Sequence, residues 1–402
     1  MVTNGIGYGN NLRKAADNKS RERFKLLERS TLLEVRDLFS CKSFDCERLS
    51  NADDIASMAS MSSIGDISPA EKSFGGELGH LKELFMDVVR IPTCTVSKQA
   101  RKYVVVLHEA IRNALSEWEA GRQSDALRLI DFLKSLLALF TMMRPHAQRA
   151  RLKSDAATCA IFFNDCMYVS HKILMLPHQF ERLLPKKMLA KLLRCVNFIT
   201  DIRYLAEYHF LQNVKYQCDK IEGLLEQTNG FLNVSSDQQL HFTQAAVGGV
   251  IGHIQNVVQG WSPHLPLHVF QRAVGRVYDH LAGVLTRDIF RLNSHACDAN
   301  DIQVIKQFLT EIVGVCEILA LSREEDADGP KADDSAPLLE RVAPENWEAF
   351  VIVKDLLGAD LDTFRARKED WMLKLNPDQS KRLLDLNGVR NVDQTYQRMC
   401  FG

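Results

Sequence analysis

The chain has 402 residues, 46% hydrophobic and 25% charged, with 50 Lys plus Arg against 51 Asp plus Glu. That length provides for two or three domains with sizeable cores. The formal net charge of −1 removes any basis for broad electrostatic binding to nucleic acid or to anionic membrane.

The first twenty residues are polar, and Gly5, Gly7 and Gly9 give a G-x-G-x-G string. A phosphate-cradling loop needs strand, turn and helix together, and no strand precedes these glycines; residues 1 to about 20 read as disordered. Helical spacing begins with Phe24, Leu27, Leu32, Leu33, Val35 and Leu38. Ser50 to Gly76, rich in Ser, Asp and Met, reads as a flexible connection. From Ile91 the helical pattern is continuous. Ser97 is placed to cap a helix carrying Tyr103, Leu107, Ala110, Ala114 and Trp118 inward. Ser124 is expected to cap the next, with Leu129, Ile130, Leu133, Leu137 and Phe140 on its inner face.

Ala160 to Phe180 mixes apolar and unusual polar residues most densely. As a helix it aligns Phe162, Cys166, Val169, Ile173 and Leu176, with Phe163, Met167, Ser170 and Leu174 in an adjacent row. So wide an apolar surface is packed on more than one side. Asn164, Tyr168 and His171 form a third line, expected as a buried polar seam that fixes how this helix meets its neighbour. Pro177 is expected to end the helix. Lys186 to Asn229 holds no proline and, unbroken, would be a rod of roughly 60 Å at about 1.5 Å per residue.

The pattern restarts after Gly230, with helices over Leu240 to Val258, Leu267 to Asn293 and Ile302 to Leu321. Arg323 to Glu340 is acidic and reads as a solvated loop. Pro344 suits a helix start before Trp347, Phe350, Val351 and Leu357, and a further helix runs to Trp371. Asn376-Pro377-Asp378-Gln379 predicts a capped helix, closed by Gly388, and Asn391 to Met399 a short final one. No strand alternation or hairpin turn pair stands out. The expected fold is all-α: an elongated rod of stacked antiparallel helical bundles. Its domains are a partial middle region over 1–83, a bundle over 84–230 ending in the long helix, and a C-terminal bundle over 231–402.

Chemistry needs groups that converge. Cys159 and Cys166 share a helix face while His171 is rotated away, and neither C-x-x-C nor H-E-x-x-H occurs, so no metal site is expected. A Cys166 nucleophile with His171 as base fails for the same reason, because five positions on a helix diverge. The ten cysteines are scattered and read as free thiols behaving as small hydrophobes in a reducing compartment. No stretch of about 18 apolar residues is present, so no membrane span is expected. No enzyme activity and no cofactor are expected.

Four passages in order resemble one family. Asn164-Asp165-Cys166-Met167-Tyr168-Val169-Ser170-His171, with His178-Gln179-Phe180, is similar to the signature helix of the zeste-white ten kinetochore and vesicle-tethering family. Asn164, Cys166, Met167, Tyr168 and His171 carry that signature. Asp165 stands where the family usually has Asn, Lys172 where a second His is common, and Pro177 where Gly is common. Ile91 to Ser97 resembles the family's Leu-Pro-Thr-Cys passage into its C-terminal region. Trp261 with Leu265-Pro266, Arg272 to Gly275, and the Trp347 and Phe350 helix follow in the same order.

The resemblance spans about 90 to 402 and implies a cytoplasmic scaffold. At the ER periphery such proteins join a tether for Golgi-derived retrograde vesicles and promote SNARE assembly. At mitotic kinetochores they join Rod and Zwilch, recruiting dynein–dynactin and supporting the spindle checkpoint. The C-terminal half is implied to bind the large helical partners, Rod or the NAG subunit, with contact residues not identifiable from the sequence. Membrane association is then peripheral, through partners, and no nucleic acid is bound. The family's N-terminal coiled coil is not found in this sequence. A subunit of an exocyst- or Golgi-type tether is the alternative expectation.

Overall fold

The computed structural model describes residues 5–40, 45–49, 93–294, 297–321 and 346–401. The Ser50 to Gly76 connection, the acidic stretch from Arg323 to Glu340 and Pro344 lie outside them. Among the described residues the fold is all-α apart from one pair of four-residue strands. It divides into two units, Met1–Leu211 and Gln212–Gly402. Among the described residues no helix is long and apolar enough to cross a membrane.

In the first unit, α1 (Gly5–Ser40) begins well before the expected residue 21, since extending a formed helix costs far less than nucleating one. Strands β1 (Cys46–Leu49) and β2 (Cys94–Ser97) pair antiparallel, Cys46 opposite Ser97 and Leu49 opposite Cys94. Sequence reading missed them because four residues cannot display an alternation, and their separation along the chain leaves no hairpin turn to mark them. Ser97 then caps α2 (Lys98–Glu119), its hydroxyl accepting the Ala100 amide at 3.1 Å. Gly121, at φ +79°, takes a left-handed turn that suits glycine, and α3 (Gln123–Ala147) folds back along α2. The expected Ser124 cap is not used. The helix starts at Gln123, preceded by Arg122 without a side-chain cap.

The middle of this unit is aromatic. Phe39 of α1, Tyr103 of α2 and Phe140 of α3 have ring centroids 5.2 to 5.4 Å apart, and all three side chains are fully buried. Such contacts add about 0.5–1.5 kcal/mol each beyond burial. After the short α4 (Arg149–Ser154), Asp155 caps α5 (Ala156–Phe180) by accepting the Ala157 amide at 3.2 Å. Pro177 does not end α5. It removes one hydrogen bond, while the buried Phe180 holds the final turn against His108, ring centroids 5.9 Å apart. The adjacent apolar row is also narrower than expected: Ser170 is buried, Phe163 and Met167 are half-buried, and Leu174 is 48% exposed.

The unbroken 186–229 helix does not form. The structure has α6 (Lys186–Leu192), a 3-10 stretch Leu193–Asn197, α7 (Phe198–Leu225) and a second 3-10 stretch Glu226–Phe231. No Gly or Pro marks the first break; Val196 and Asn197 are weak helix formers, and the tighter turn still keeps Leu192, Cys195 and Ile199 inward. At the second break Asn229, Gly230 and Phe231 all have positive φ.

In the second unit, α8 (Asp237–Trp261), α9 (Leu267–Arg291) and α10 (Ala299–Leu321) supply the long helices. They are followed by α11 (Trp347–Leu356), α12 (Leu361–Ala366), α13 (Lys368–Lys374), α14 (Pro377–Leu386) and α15 (Val392–Phe401). The expected single helix to Trp371 is two, divided at Arg367. Trp261, Trp347 and Trp371 are core anchors: all are buried, Trp347 lies 5.8 Å from Tyr278, and the Trp371 indole N–H donates to Phe364 O at 2.9 Å. The capping box is present, Asn376 and Gln379 exchanging bonds of 2.8 and 3.0 Å.

Candidate functional site

The residues most unlike ordinary packing gather where α5 crosses β2. One edge of β2 pairs with β1. The other would present bare backbone groups inside the core, and a buried unpaired amide or carbonyl costs about 1–3 kcal/mol. Two adjacent side chains of α5 cover it. Asn164 donates from Nδ2 to Thr95 O at 2.9 Å, and Asp165 Oδ1 accepts the Ser97 amide at 2.7 Å. The side chains therefore act as a substitute third strand.

Asp165 does more. Its Oδ2 accepts the Ser97 hydroxyl at 2.7 Å and the Arg144 guanidinium at 2.8 Å, and Arg144 also reaches Ser97 Oγ at 3.2 Å. The ion pair is sealed from water, with the Arg144 side chain 1% and that of Asp165 0% exposed. Arg144 also lies 5.9 Å above the Phe39 ring, a cation–π contact reinforced by burial. One carboxylate thus joins β2, the cap of α2, the last turn of α3 and the middle of α5. Such a pair adds little net stability, because desolvation offsets attraction, but an incorrect arrangement of these helices would strand a buried charge.

The five signature residues fall into different surroundings. Asn164 is buried against β2. Tyr168 is buried, with Lys172 Nζ 5.3 Å from its ring centroid. Cys166 is fully buried, while Met167 and His171 are half-buried on other sides of the helix. Asp165, Arg144 and Ser97 were not picked out as partners by sequence reading. The available signal was an Asp in the middle of a largely apolar helix: a core carboxylate calls for a cation, and Arg144 sits among apolar α3 positions. Two of the passages that carried the resemblance meet where Thr95 and Ser97 bond to Asn164 and Asp165.

This arrangement positions helices. Burial pushes the Cys166 thiol well above its ordinary range, and the Asp165 carboxylate pushes it further the same way. Burial likewise raises Cys159, and it raises Cys195 to about 11. A nucleophilic cysteine needs the opposite shift. His108, which meets Gln179 at 3.1 Å, has its pKa lowered by burial. Among the described residues no group of three His, Cys, Asp or Glu could hold a metal ion. We expect Cys159, Cys166 and Cys195 to resist a neutral-pH maleimide in the native protein and to react fully in denaturant. Mass-spectrometric mapping of labelled peptides checks this, and rapid native labelling of Cys166 would overturn the assignment.

Comparison with known proteins gives this core its context. Residues 89–222, which include β2 and α5, match the family described as "Centromere/kinetochore protein zw10, C-terminal". The centromere/kinetochore protein zw10 homolog of Rattus norvegicus is 22% identical over 213 residues, covering 52% of this chain and 27% of that protein. The Mus musculus homolog is 24% identical over 187 residues, covering 46% and 23%. The Arabidopsis thaliana homolog is 18% identical over 248 residues, covering 62% and 33%. The matched stretch is thus about a quarter to a third of each relative's length. Among solved structures, the C-terminal domain of the exocyst subunit Sec6p aligns at a TM-score of 0.47 with 10% identity, covering 96% of this chain and 91% of that one. The Myo2-GTD from its complex with Inp2 aligns at 0.45 with 10% identity, covering 75% and 71%. The helical core built on Asn164, Asp165 and Ser97 lies within the matched stretch, and over residues 89–222 the chain is similar to the C-terminal region of the centromere/kinetochore protein zw10 family.

Proposed function

We propose that this chain is a non-enzymatic scaffold segment that binds a large helical partner. The observation that supports this most directly is the family match over 89–222. It falls on a bundle whose unusual polar residues position helices and whose buried thiols Cys159, Cys166 and Cys195 are shifted by burial away from the reactive thiolate. A Rod-like subunit would be the partner at mitotic kinetochores, with Zwilch in the same assembly and dynein–dynactin recruited through it. A NAG-like subunit would be the partner in a Golgi-to-ER tether that acts on ER SNAREs. The protein would then be cytoplasmic, at the ER periphery in interphase and at the kinetochore and spindle in mitosis, touching membrane only through partners.

Signature residues Asn164, Cys166, Met167, Tyr168 and His171 have a structural role in this reading, and the partner meets other surface. Affinity capture with the tagged chain from interphase and mitotic extracts is the test. Recovery of a Rod-like protein in mitosis and a NAG-like protein in interphase is the expected result. Failure to recover either, or recovery of exocyst subunits in their place, would overturn it. A Cys166→Ala variant should capture the same partners, since its thiol only packs.

A further inference from the structure

We infer that Ser154 is a phosphorylation site for an arginine-directed protein kinase. The stretch Arg149-Ala150-Arg151-Leu152-Lys153-Ser154 places arginines five and three residues before the serine. Kinases of this class read those two positions with acidic pockets, in which guanidinium forks pair with carboxylates. Arg149, Arg151, Lys153 and Ser154 are all exposed, so the sequence pattern is also a surface pattern.

A kinase takes its substrate extended, and the local structure yields readily to that demand. The stretch is the six-residue α4, with Ser154 its last residue. Two of its bonds are Leu152 N–H to Gln148 O at 2.9 Å and Asp155 N–H to Arg151 O at 2.8 Å. A helix this short has little stability of its own, and within it only Leu152 is buried. The Ser154 hydroxyl donates to Ala150 O at 3.1 Å, a bond within α4 that opens with it. Arg151 pairs with Asp155 at 3.4 Å, with side chains 52% and 40% exposed, a contact that exchanges easily with solvent.

In the reaction the Ser154 oxygen attacks the γ-phosphorus of ATP. A new O–P bond replaces the one to ADP, which leaves, and the hydroxyl proton passes to the kinase's catalytic carboxylate. The product carries about −1.5 to −2 charge beside three cations and Asp155. The modification therefore converts a locally basic surface into a nearly neutral one, and it draws Arg151 away from the Asp155 cap.

The test is to treat the folded chain with ATP and a kinase selective for R-x-R-x-x-S, then to map phosphopeptides. Phosphate is expected on Ser154 and absent from Ser154→Ala. Arg151→Ala should slow incorporation at least about tenfold, the scale of one lost charge-assisted contact. Leu152→Ala, which removes the buried side chain of α4, should accelerate it. A synthetic peptide of residues 147–157 serves as the positive control. If that peptide is labelled while neither the wild type nor Leu152→Ala takes phosphate on Ser154, the proposal is wrong. Equal rates for wild type and Arg151→Ala would also overturn it.

Discussion

Asp165→Asn is expected to lower stability by about 3 to 5 kcal/mol, the usual cost of removing one partner from a buried ion pair. The substitution preserves shape, so the loss isolates the charge. Arg144, 1% exposed and 2.8 Å from the carboxylate, would remain as a cation in the core. The Ser97 amide, now 2.7 Å from an ionised oxygen, would bond at best to a neutral carbonyl. Urea denaturation followed by helical circular dichroism measures the effect. A loss below about 1 kcal/mol, the scale of an exposed pair, would show that other groups already compensate Arg144.

A second variant separates the pair from its parts. Adding Arg144→Met to Asp165→Asn removes the stranded charge and should recover much of the loss, giving a coupling energy in the double-mutant cycle. Full additivity would show that the two side chains are independent. The pair is expected to act through specificity as much as stability, because it couples β2, α2, α3 and α5 in a single register.

Phe162→Ala is expected to cost about 3 to 5 kcal/mol, the range for emptying a fully buried aromatic site. Phe162 has no exposed surface and meets His209 of α7 edge-on, with centroids 5.5 Å apart and planes at 88°. The lost ring would leave a cavity between two long helices that cannot easily close it, since backbone bonds fix both. Leu174→Ala is the internal control on the same helix. Leu174 is 48% exposed, so its truncation should change little, on the scale of about 0.5 kcal/mol for surface sites. Equal effects at the two positions would mean that α5 is rotated so that Leu174 also faces the core.

Much of this could be read from the sequence because helices write themselves locally. Spacings of three and four placed Phe162, Cys166, Val169 and Ile173 inward, and all four are buried. Caps use residues close in sequence, so Ser97 and the Asn376–Gln379 box were predictable and are present. Where helices stop was less legible. Pro177 suggested an end that tertiary packing of Phe180 overrides. Residues 193–197 adopt a tighter turn with no Gly or Pro to announce it.

The sequence alone determined the all-α class, the inward faces of the main helices and the order of the family's passages, because each depends on residues a few positions apart. Only the tertiary structure decided that β1 pairs with β2, that Asn164 and Asp165 complete the strand's open edge, and that Arg144 neutralises the carboxylate. Those bonds join residues 21 to 69 positions apart. A carboxylate's partner at such range depends on where folding brings the chain, and no local period records it.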